Sequence, residues 1–321
     1  MDPFGRTIDY LRVSVTDRCN ERCLYCMPEG YKGWAQKPDH LTADEIVRVV
    51  AAACQLGFRK FRLTGGEPLL RTDIVEIARQ MGAMAAVKSL GLSTNGTRLD
   101  RMAKELKQAG VTSVNISLDA LNPATYRQIT GGDLGAALAG VQAALDVGFA
   151  SLKLNCVLMR GVNEQEIWPL IDFAAERGLP LRFIELMPLT RTDVLSEANF
   201  LSVTEAMEML SSRGRLIPQP DHRGGHGPAR YYRLEPVGAM VGFIGALTTP
   251  HFCETCNKLR LTADGKLRPC LGRHGEIDLL ESLRAGKDLS AILRQAIATK
   301  PENHEFAEVY QPGRPMTAIG G

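Results

Sequence analysis

The chain has 321 residues, 45% apolar and 23% charged, with 38 basic against 36 acidic side chains for a net charge of +2. Those are the proportions of a globular protein with ample core material, and they exclude the strongly basic surface of a nucleic-acid binder. No apolar run approaches the ~18 residues of a membrane span, and the N-terminal MDPFGRTIDY lacks the basic-flanked apolar core of a leader, so a cytoplasmic chain with neither nucleic-acid nor membrane partner is expected.

Strands and helices alternate from the start. Tyr10–Thr16 reads as a strand, and Thr42 with Glu45 forms the capping box of the helix that follows. Lys60–Thr64 with Asp73–Met84 repeats the pair, as do Lys88–Thr94 with Asp100–Ala109 and Ser113–Leu118 with Leu134–Val147. Ser151–Leu158 with Glu164–Arg177, and Leu181–Leu186 with Thr204–Leu210, complete six strand–helix units. Such alternation predicts an α/β fold built on a parallel sheet. Polar residues at alternate strand positions, Asn115/Ser117 and Lys153/Asn155, predict a lumen that holds ligand instead of packed side chains. Six units fall short of the eight of a closed barrel, so residues 1–212 are expected to form a partial (β/α)6 TIM-type barrel, open on one side. The pattern then changes. A loop rich in Pro, Gly and His spans 218–228, followed by strand-like pieces at Arg230–Leu234 and Met240–Ile244, three cysteines, and helices at Ile277–Arg284 and Leu289–Ala298. Residues 213–321 are expected to form a smaller cluster- and substrate-binding region that closes the barrel mouth.

Eight cysteines in a reducing compartment favour metal or redox chemistry over disulfides. Cys19, Cys23 and Cys26 form a CxxxCxxC triplet directly after the first strand, where barrel active sites lie. Thiolates suit iron–sulfur clusters and zinc. A structural zinc takes four ligands, whereas three thiolates on a cubane leave one iron open. Gly65-Gly66-Glu67-Pro68 follows the second strand, and its glycines would let backbone approach a ligand. Cys253, Cys256 and Cys270 make a second triplet. Spacing alone fits either another cluster with an open iron or a zinc site completed by His251 or His274. Cys54 and Cys156 are single and flanked by apolar residues, and read as core. His222 and His226 lie in a Gly-rich loop and receive no role.

The first triplet, with the aromatic Tyr25 before its third cysteine, and the GGEP run one unit downstream together resemble the radical S-adenosylmethionine superfamily. The stretch Phe252-Cys-Glu-Thr-Cys-Asn-Lys-Leu-Arg260 resembles the signature of one of its families, the GTP 3′,8-cyclases. Similar stretches cover nearly the whole chain: Asp9–Asp17, Arg62–Pro68, Ser93–Gly96, Asn115–Asp119, Leu154–Met159, Leu181–Met187 and the terminal Gly320-Gly321.

The resemblance implies a lyase with two [4Fe–4S] clusters, one on Cys19, Cys23 and Cys26 and one on Cys253, Cys256 and Cys270. It implies S-adenosyl-L-methionine contacts at Tyr25, Gly66, Ser117 and Met187, and GTP contacts at Arg12, Arg62, Ser93, Lys153, Lys258, Leu259 and Arg260. The implied reaction is the first step of molybdenum cofactor biosynthesis. A 5′-deoxyadenosyl radical takes the 3′ hydrogen of GTP, C3′ attacks C8, and reduction with protonation gives (8S)-3′,8-cyclo-7,8-dihydroguanosine 5′-triphosphate. No side chain is assigned a catalytic role. An external electron donor is implied, and the product passes to cyclic pyranopterin monophosphate synthase; monomer and homodimer both stay open. Arg12, Arg62 and Lys153 lie within strand patterns, where a solvated face explains them poorly, so a lumen site is expected. Arg182 fits the same site or a surface ion pair. The chain departs from the family with Lys258 in place of the usual Arg, Ser93 where Thr is common, and Glu21 where an aromatic is usual. The terminal glycines are expected to thread toward the active site. Two rivals differ visibly. A peptide-modifying two-cluster radical enzyme would carry a longer, Cys-rich C-terminal region and a peptide-binding module. A zinc-dependent binding module would take up zinc and no iron.

Overall fold

The computed structural model describes residues 1–27, 40–189, 196–220, 227–306 and 313–320; His222, His226 and Gly321 lie outside the described residues. Six strand–helix units come first: β1 (Tyr10–Ser14) and α1 (Ala43–Gln55), β2 (Lys60–Thr64) and α2 (Ile74–Gly82), and β3 (Ser89–Thr94) and α3 (Leu99–Gln108). Then follow β4 (Ser113–Ser117) with α4 (Pro123–Thr130) and α5 (Leu134–Val147), β5 (Ser151–Leu158) with α6 (Ile167–Glu176), and β6 (Leu181–Glu185) with α7 (Val203–Ser211). The remainder holds β7 (Arg215–Pro218), β8 (Arg230–Glu235), β9 (Ala239–Ile244), β10 (Lys258–Leu261), β11 (Lys266–Arg268) and β12 (Ile277–Asp278), then α8 (Leu280–Arg284), α9 (Ser290–Ala298) and α10 (Met316–Ile319). The capping box at the start of α1 is present: Glu45 N donates to Thr42 Oγ1 at 3.2 Å, and Thr42 N donates to Glu45 Oε2 at 2.8 Å.

All the strands join one sheet in the order β12-β11-β10-β1-β2-β3-β4-β5-β6-β9-β8-β7, which does not close on itself. The expected open, TIM-like arrangement of six parallel strands is therefore observed. It is longer than expected, because β10 pairs in parallel with β1 and β9 in parallel with β6. Antiparallel strands finish both edges. One expected helix, Ile277–Arg284, is corrected. Its first residues form β12 against β11, and the helix starts only at Leu280, whose N–H donates to Asp278 Oδ1 at 2.9 Å.

Strand alternation divides the sheet into two faces. Leu11, Val13, Phe61, Leu63, Leu92, Val114, Ile116, Leu154, Phe183 and Leu259 are inaccessible or nearly so and form the core cluster with the helices. The alternate positions carry polar and cationic side chains and line the lumen. Cys156 is buried in the core and Cys54 packs at its margin.

Candidate active site

A cavity of about 770 Å³ occupies the lumen and is lined by both cysteine triplets. Its floor is set by register. Arg260, Arg12 and Arg62 stand side by side on β10, β1 and β2. The next position, on β3, is Gly91, where a Cβ would lie 2.6 Å from the Arg62 guanidinium. Gly91 thus leaves room for a side chain that is pinned three ways. Arg62 donates from Nε to Tyr10 Oη at 2.8 Å, from Nη1 to the Leu92 carbonyl at 2.6 Å and from Nη2 to Ser113 Oγ at 3.0 Å. Lys153 is in register with Asn115, and Arg182 Nε donates to Asn155 Oδ1 at 2.8 Å. Arg182 is buried in this wall, not engaged in a surface ion pair. Lys258 Nζ sits 5.7 Å from the Tyr10 ring centroid.

These cations oppose one another. Burial, then Arg260, lowers Arg12 to about 9. Burial lowers Arg260 to about 10. Burial, with Arg182 and Arg62, lowers Lys153 to about 7. Among the described residues, no ion pair ties Arg62, Lys153, Arg182 or Arg260 to a carboxylate. A polyanion is the ligand that relieves this repulsion.

The first triplet lies at the opposite electrostatic pole. Its loop is seated on the GGEP turn: Gly66 N donates to the Thr16 carbonyl at 2.8 Å and Glu67 N to the Arg18 carbonyl at 2.7 Å. A Cβ on Gly65 would lie 2.3 Å from the Thr16 carbonyl oxygen, and one on Gly66 2.2 Å from that of Arg18. The glycines are therefore required by backbone packing inside the protein, a reason distinct from the ligand approach expected from sequence. Glu67 is buried and accepts from Leu69 N at 3.0 Å, Thr94 Oγ1 at 2.7 Å and Asn95 N at 2.7 Å, which ties the turn to the end of β3. Tyr25 Oη donates to Asp119 Oδ2 at 2.7 Å. Glu21, the departure in this loop, is buried beside Gly132 and accepts from Tyr126 Oη at 2.8 Å. Burial lifts Glu21 and Glu67 to about 7 and Asp119 to about 6. It lifts the Cys19 and Cys26 thiols to about 12 and pushes the Cys23 thiol well above its usual value.

The second triplet is surrounded by cations. Lys300, which spacing did not single out, is buried and donates to the Lys258 carbonyl at 2.9 Å and the Pro269 carbonyl at 2.8 Å, bridging the segments that carry Cys256 and Cys270. Burial pushes the Cys256 thiol up, but Lys300 and Lys258 outweigh it and leave Cys256 below the usual thiol value. Arg6 Nη1 donates to the Cys253 carbonyl at 3.0 Å. Backbone N–H groups of His304, Lys258 and Gly272 donate to Cys253, Cys256 and Cys270. His251 and His274 are both exposed, and His251 Nδ1 faces Glu254 Oε1 at 2.6 Å.

Met316 and Thr317 line the same cavity. Gly320 is buried, and its carbonyl accepts from Arg260 Nη1 at 2.7 Å. The Thr317 backbone N–H donates to the Cys26 thiol. Arg314 holds the segment by donating to both oxygens of Asp264 and to Glu276 Oε2, each at 2.9 Å.

Among the described residues, no three His, Cys, Asp or Glu side chains converge as a single metal ion would require. A cubane instead takes one thiolate per iron. Asn115 Oδ1 and Thr317 Oγ1 line the cavity and are buried with no hydrogen-bond partner among the described residues, as expected of groups that meet a ligand. Tyr25, Gly66, Ser93, Ser117 and Met187 all line the cavity. Leu259 does not: its side chain is in the core, so it can offer only backbone.

Two family models match successive parts of the chain. Residues 13–174 match the model of the radical SAM superfamily, and residues 179–306 match the model named Molybdenum Cofactor Synthesis C. A GTP 3′,8-cyclase of Pelotomaculum thermopropionicum is 44% identical over 100% of this chain and 99% of its own length. That of Desulforamulus reducens is 42% identical over 100% of both. Among solved structures, Streptococcus suis SuiB bound to S-adenosylmethionine matches with a TM-score of 0.62 at 15% identity, over 90% of this chain and 68% of its own; at that identity the likeness is one of fold. No helix among the described residues is long and apolar enough to cross a membrane.

Proposed function

The chain belongs to the GTP 3′,8-cyclase family of the radical S-adenosylmethionine superfamily, and on that premise we propose that it cyclises GTP to (8S)-3′,8-cyclo-7,8-dihydroguanosine 5′-triphosphate, the first step of molybdenum cofactor biosynthesis. The observation that carries the reading is the polarity of one cavity: cysteines among Glu21, Glu67 and Asp119 at one end, cysteines among Lys258, Arg260 and Lys300 at the other. S-adenosylmethionine is a sulfonium cation and GTP a polyanion, so each end suits one ligand by charge.

In this reading Cys19, Cys23 and Cys26 would hold a [4Fe–4S] cluster, and Cys253, Cys256 and Cys270 would hold a second one that would supply a coordination position for the purine. Bound together, the first cluster and S-adenosylmethionine supply hydrogen-atom abstraction from ribose C3′. The chain's own residues position the reactants. Tyr25, fixed by Asp119, lies with Gly66, Ser117 and Met187 at the S-adenosylmethionine end. Arg12, Arg62 and Arg260 form one row for the triphosphate, with Lys153, Lys258 and Ser93 beside it. Lys258 keeps the charge of the family's Arg without its planar fork. The electron comes from an external carrier, and the product passes to cyclic pyranopterin monophosphate synthase.

The test is anaerobic incubation of the iron-reconstituted protein with GTP, S-adenosylmethionine and dithionite. An isomer of GTP should form together with 5′-deoxyadenosine, at about eight irons per chain, the sum of two four-iron clusters. Replacing Cys253, Cys256 and Cys270 with Ala should spare slow S-adenosylmethionine cleavage and abolish the GTP isomer. Cyclisation by that variant would overturn the role given to the second triplet.

A further inference from the structure

A second cleft, of about 490 Å³, lies on the outer side of the first triplet's loop, lined by residues that include Asn20, Thr97, Arg98, Arg101, Arg127 and Asp133. We propose that this arginine-lined cleft is the docking surface for an acidic one-electron carrier protein that reduces the first cluster; the proposal rests on the radical reading given above.

The cleft is built onto the cluster loop. Asn20 follows Cys19 directly, and its side-chain amide is fixed from both sides: Nδ2 donates to Thr97 Oγ1 at 2.8 Å, and Oδ1 accepts from Asn95 Nδ2 at 3.0 Å. Arg22 Nη1 donates to the carbonyl of Cys19 itself at 3.0 Å. Surface and thiolate are thus one residue apart along the chain. Cys19 lines the cavity assigned to S-adenosylmethionine and GTP, whereas Asn20 lines the cleft, so a carrier seated in the cleft would meet the cluster loop without entering that cavity.

The charge of the cleft selects its partner. Arg98, Arg101 and Arg127 line the cleft and are exposed, although the whole chain carries a net charge of only +2. Among the described residues, Arg98 and Arg127 make no ion pair, and Arg101 makes a long one, 3.6 Å, to Asp100. The lining residues set three arginines, Arg98, Arg101 and Arg127, against one carboxylate, Asp133, which caps α5 by accepting from Gly135 N at 3.0 Å; the buried Glu21 lies against Gly132, and Glu67 is within electrostatic reach of Arg98. Among the exposed side chains of the lining, positive charge is in excess. Concentrated exposed charge of one sign raises the association rate of an oppositely charged partner, and salt suppresses the effect.

The double variant R101E/R127E tests this, since neither side chain touches the cavity assigned to substrate. The probe is flavodoxin, an acidic flavin carrier. Three quantities would be measured on the iron-loaded enzyme at low and at 0.5 M salt: flavodoxin affinity by fluorescence anisotropy, reduction of the first cluster by reduced flavodoxin, and reduction by dithionite. The variant should bind flavodoxin and accept its electrons roughly ten- to a hundredfold less well at low salt, the range over which charge steering acts. High salt should bring wild type and variant together. Reduction by dithionite should be unchanged. Equal losses with both reductants would mean that the arginines support the cluster loop, not docking. Unchanged flavodoxin affinity would place the carrier elsewhere. Either result overturns the proposal, whereas failure of dithionite to drive turnover in the wild type would instead count against the radical reading.

Discussion

Lys153 shows how one residue can report on its ligand. Burial and the neighbouring Arg182 and Arg62 hold its ammonium near 7 in the free protein. A triphosphate beside it favours the charged form, so binding raises that pKa and takes up a proton. The sign follows. Affinity for GTP should be full below about pH 7 and fall above it, by up to about tenfold per pH unit, until the bound-state pKa is reached. Phosphate also titrates near pH 6, so the informative quantity is the difference from K153R, whose side chain stays charged. Calorimetric titrations from pH 7 to 9 should slope for wild type and flatten for K153R. Superimposable profiles would remove Lys153 from the phosphate site. This residue was legible because alternation along β5 placed it on the lumen face. The first cysteine triplet stood out by spacing, whereas for Cys253, Cys256 and Cys270 spacing alone also fitted zinc, and the cluster reading rests on the family resemblance. Lys300 and Glu67 were not: Lys300 reaches the second triplet from beyond α9, and Glu67 is one acid of a turn whose partners, Thr94 and Asn95, come from another strand.

At the scale of elements, the loop after β1 and the turn after β2 act as one unit. Two backbone hydrogen bonds join them, and two absent Cβ atoms permit the contact. Gly65→Ala would place a methyl group 2.3 Å from the Thr16 carbonyl oxygen, which is backbone and can yield only by parting the segments. The expected cost is about 1–3 kcal/mol, measured as urea unfolding of the iron-free chain. The reconstituted variant should lose iron from the first triplet and retain it at the second. Full stability with full iron would show that the contact is dispensable. Element boundaries were otherwise legible where period and caps agreed, as at Thr42 and Glu45. They failed where a strand was too short to show a period. β10 has four residues and is flanked by the second triplet, so its Lys-Leu-Arg-Leu was read as part of a cysteine signature. Asn122-Pro123 marks the start of α4, and Asn122 Oδ1 caps it by accepting from Ala124 N at 2.9 Å. An Asn followed directly by Pro is a helix-start signal that the sequence itself carries.

For the whole molecule, what matters is that segments far apart in sequence converge on one cavity. β10 lies against β1, so Arg260 joins the row of Arg12 and Arg62 from the far end of the sequence. The last residues then cross to the first triplet, where Thr317 N–H meets Cys26 and Gly320 meets Arg260. A four-residue helix cannot hold this position by itself. What holds it is Arg314, clasped by Asp264 and Glu276, with Glu276 also paired to Arg268 at 3.1 Å and Arg268 Nε donating to the Cys270 carbonyl at 3.0 Å. The tail is thereby tied to the second triplet while touching the first. Burial alone would raise the Asp264 carboxyl, but Thr262 and Arg314 hold it below the usual range. Its contribution to the clasp is therefore complete above the unfolded carboxylate pKa and is lost only as pH falls through the lower folded value. The ion pairs are partly exposed, so removing them should cost about 1 kcal/mol. Arg314→Ala should accordingly speed hydrogen exchange at Thr317, Ala318 and Gly320 roughly fivefold at pH 7, while the β1–β6 amides keep their protection. Acidifying the wild type below the ordinary carboxylate range should release the same amides, and release at pH 5 would contradict the lowered Asp264 value. If the variant's tail exchanges at the wild-type rate, the clasp does not hold the tail, and the contacts with Cys26 and Arg260 suffice to keep the chain's end in the cavity.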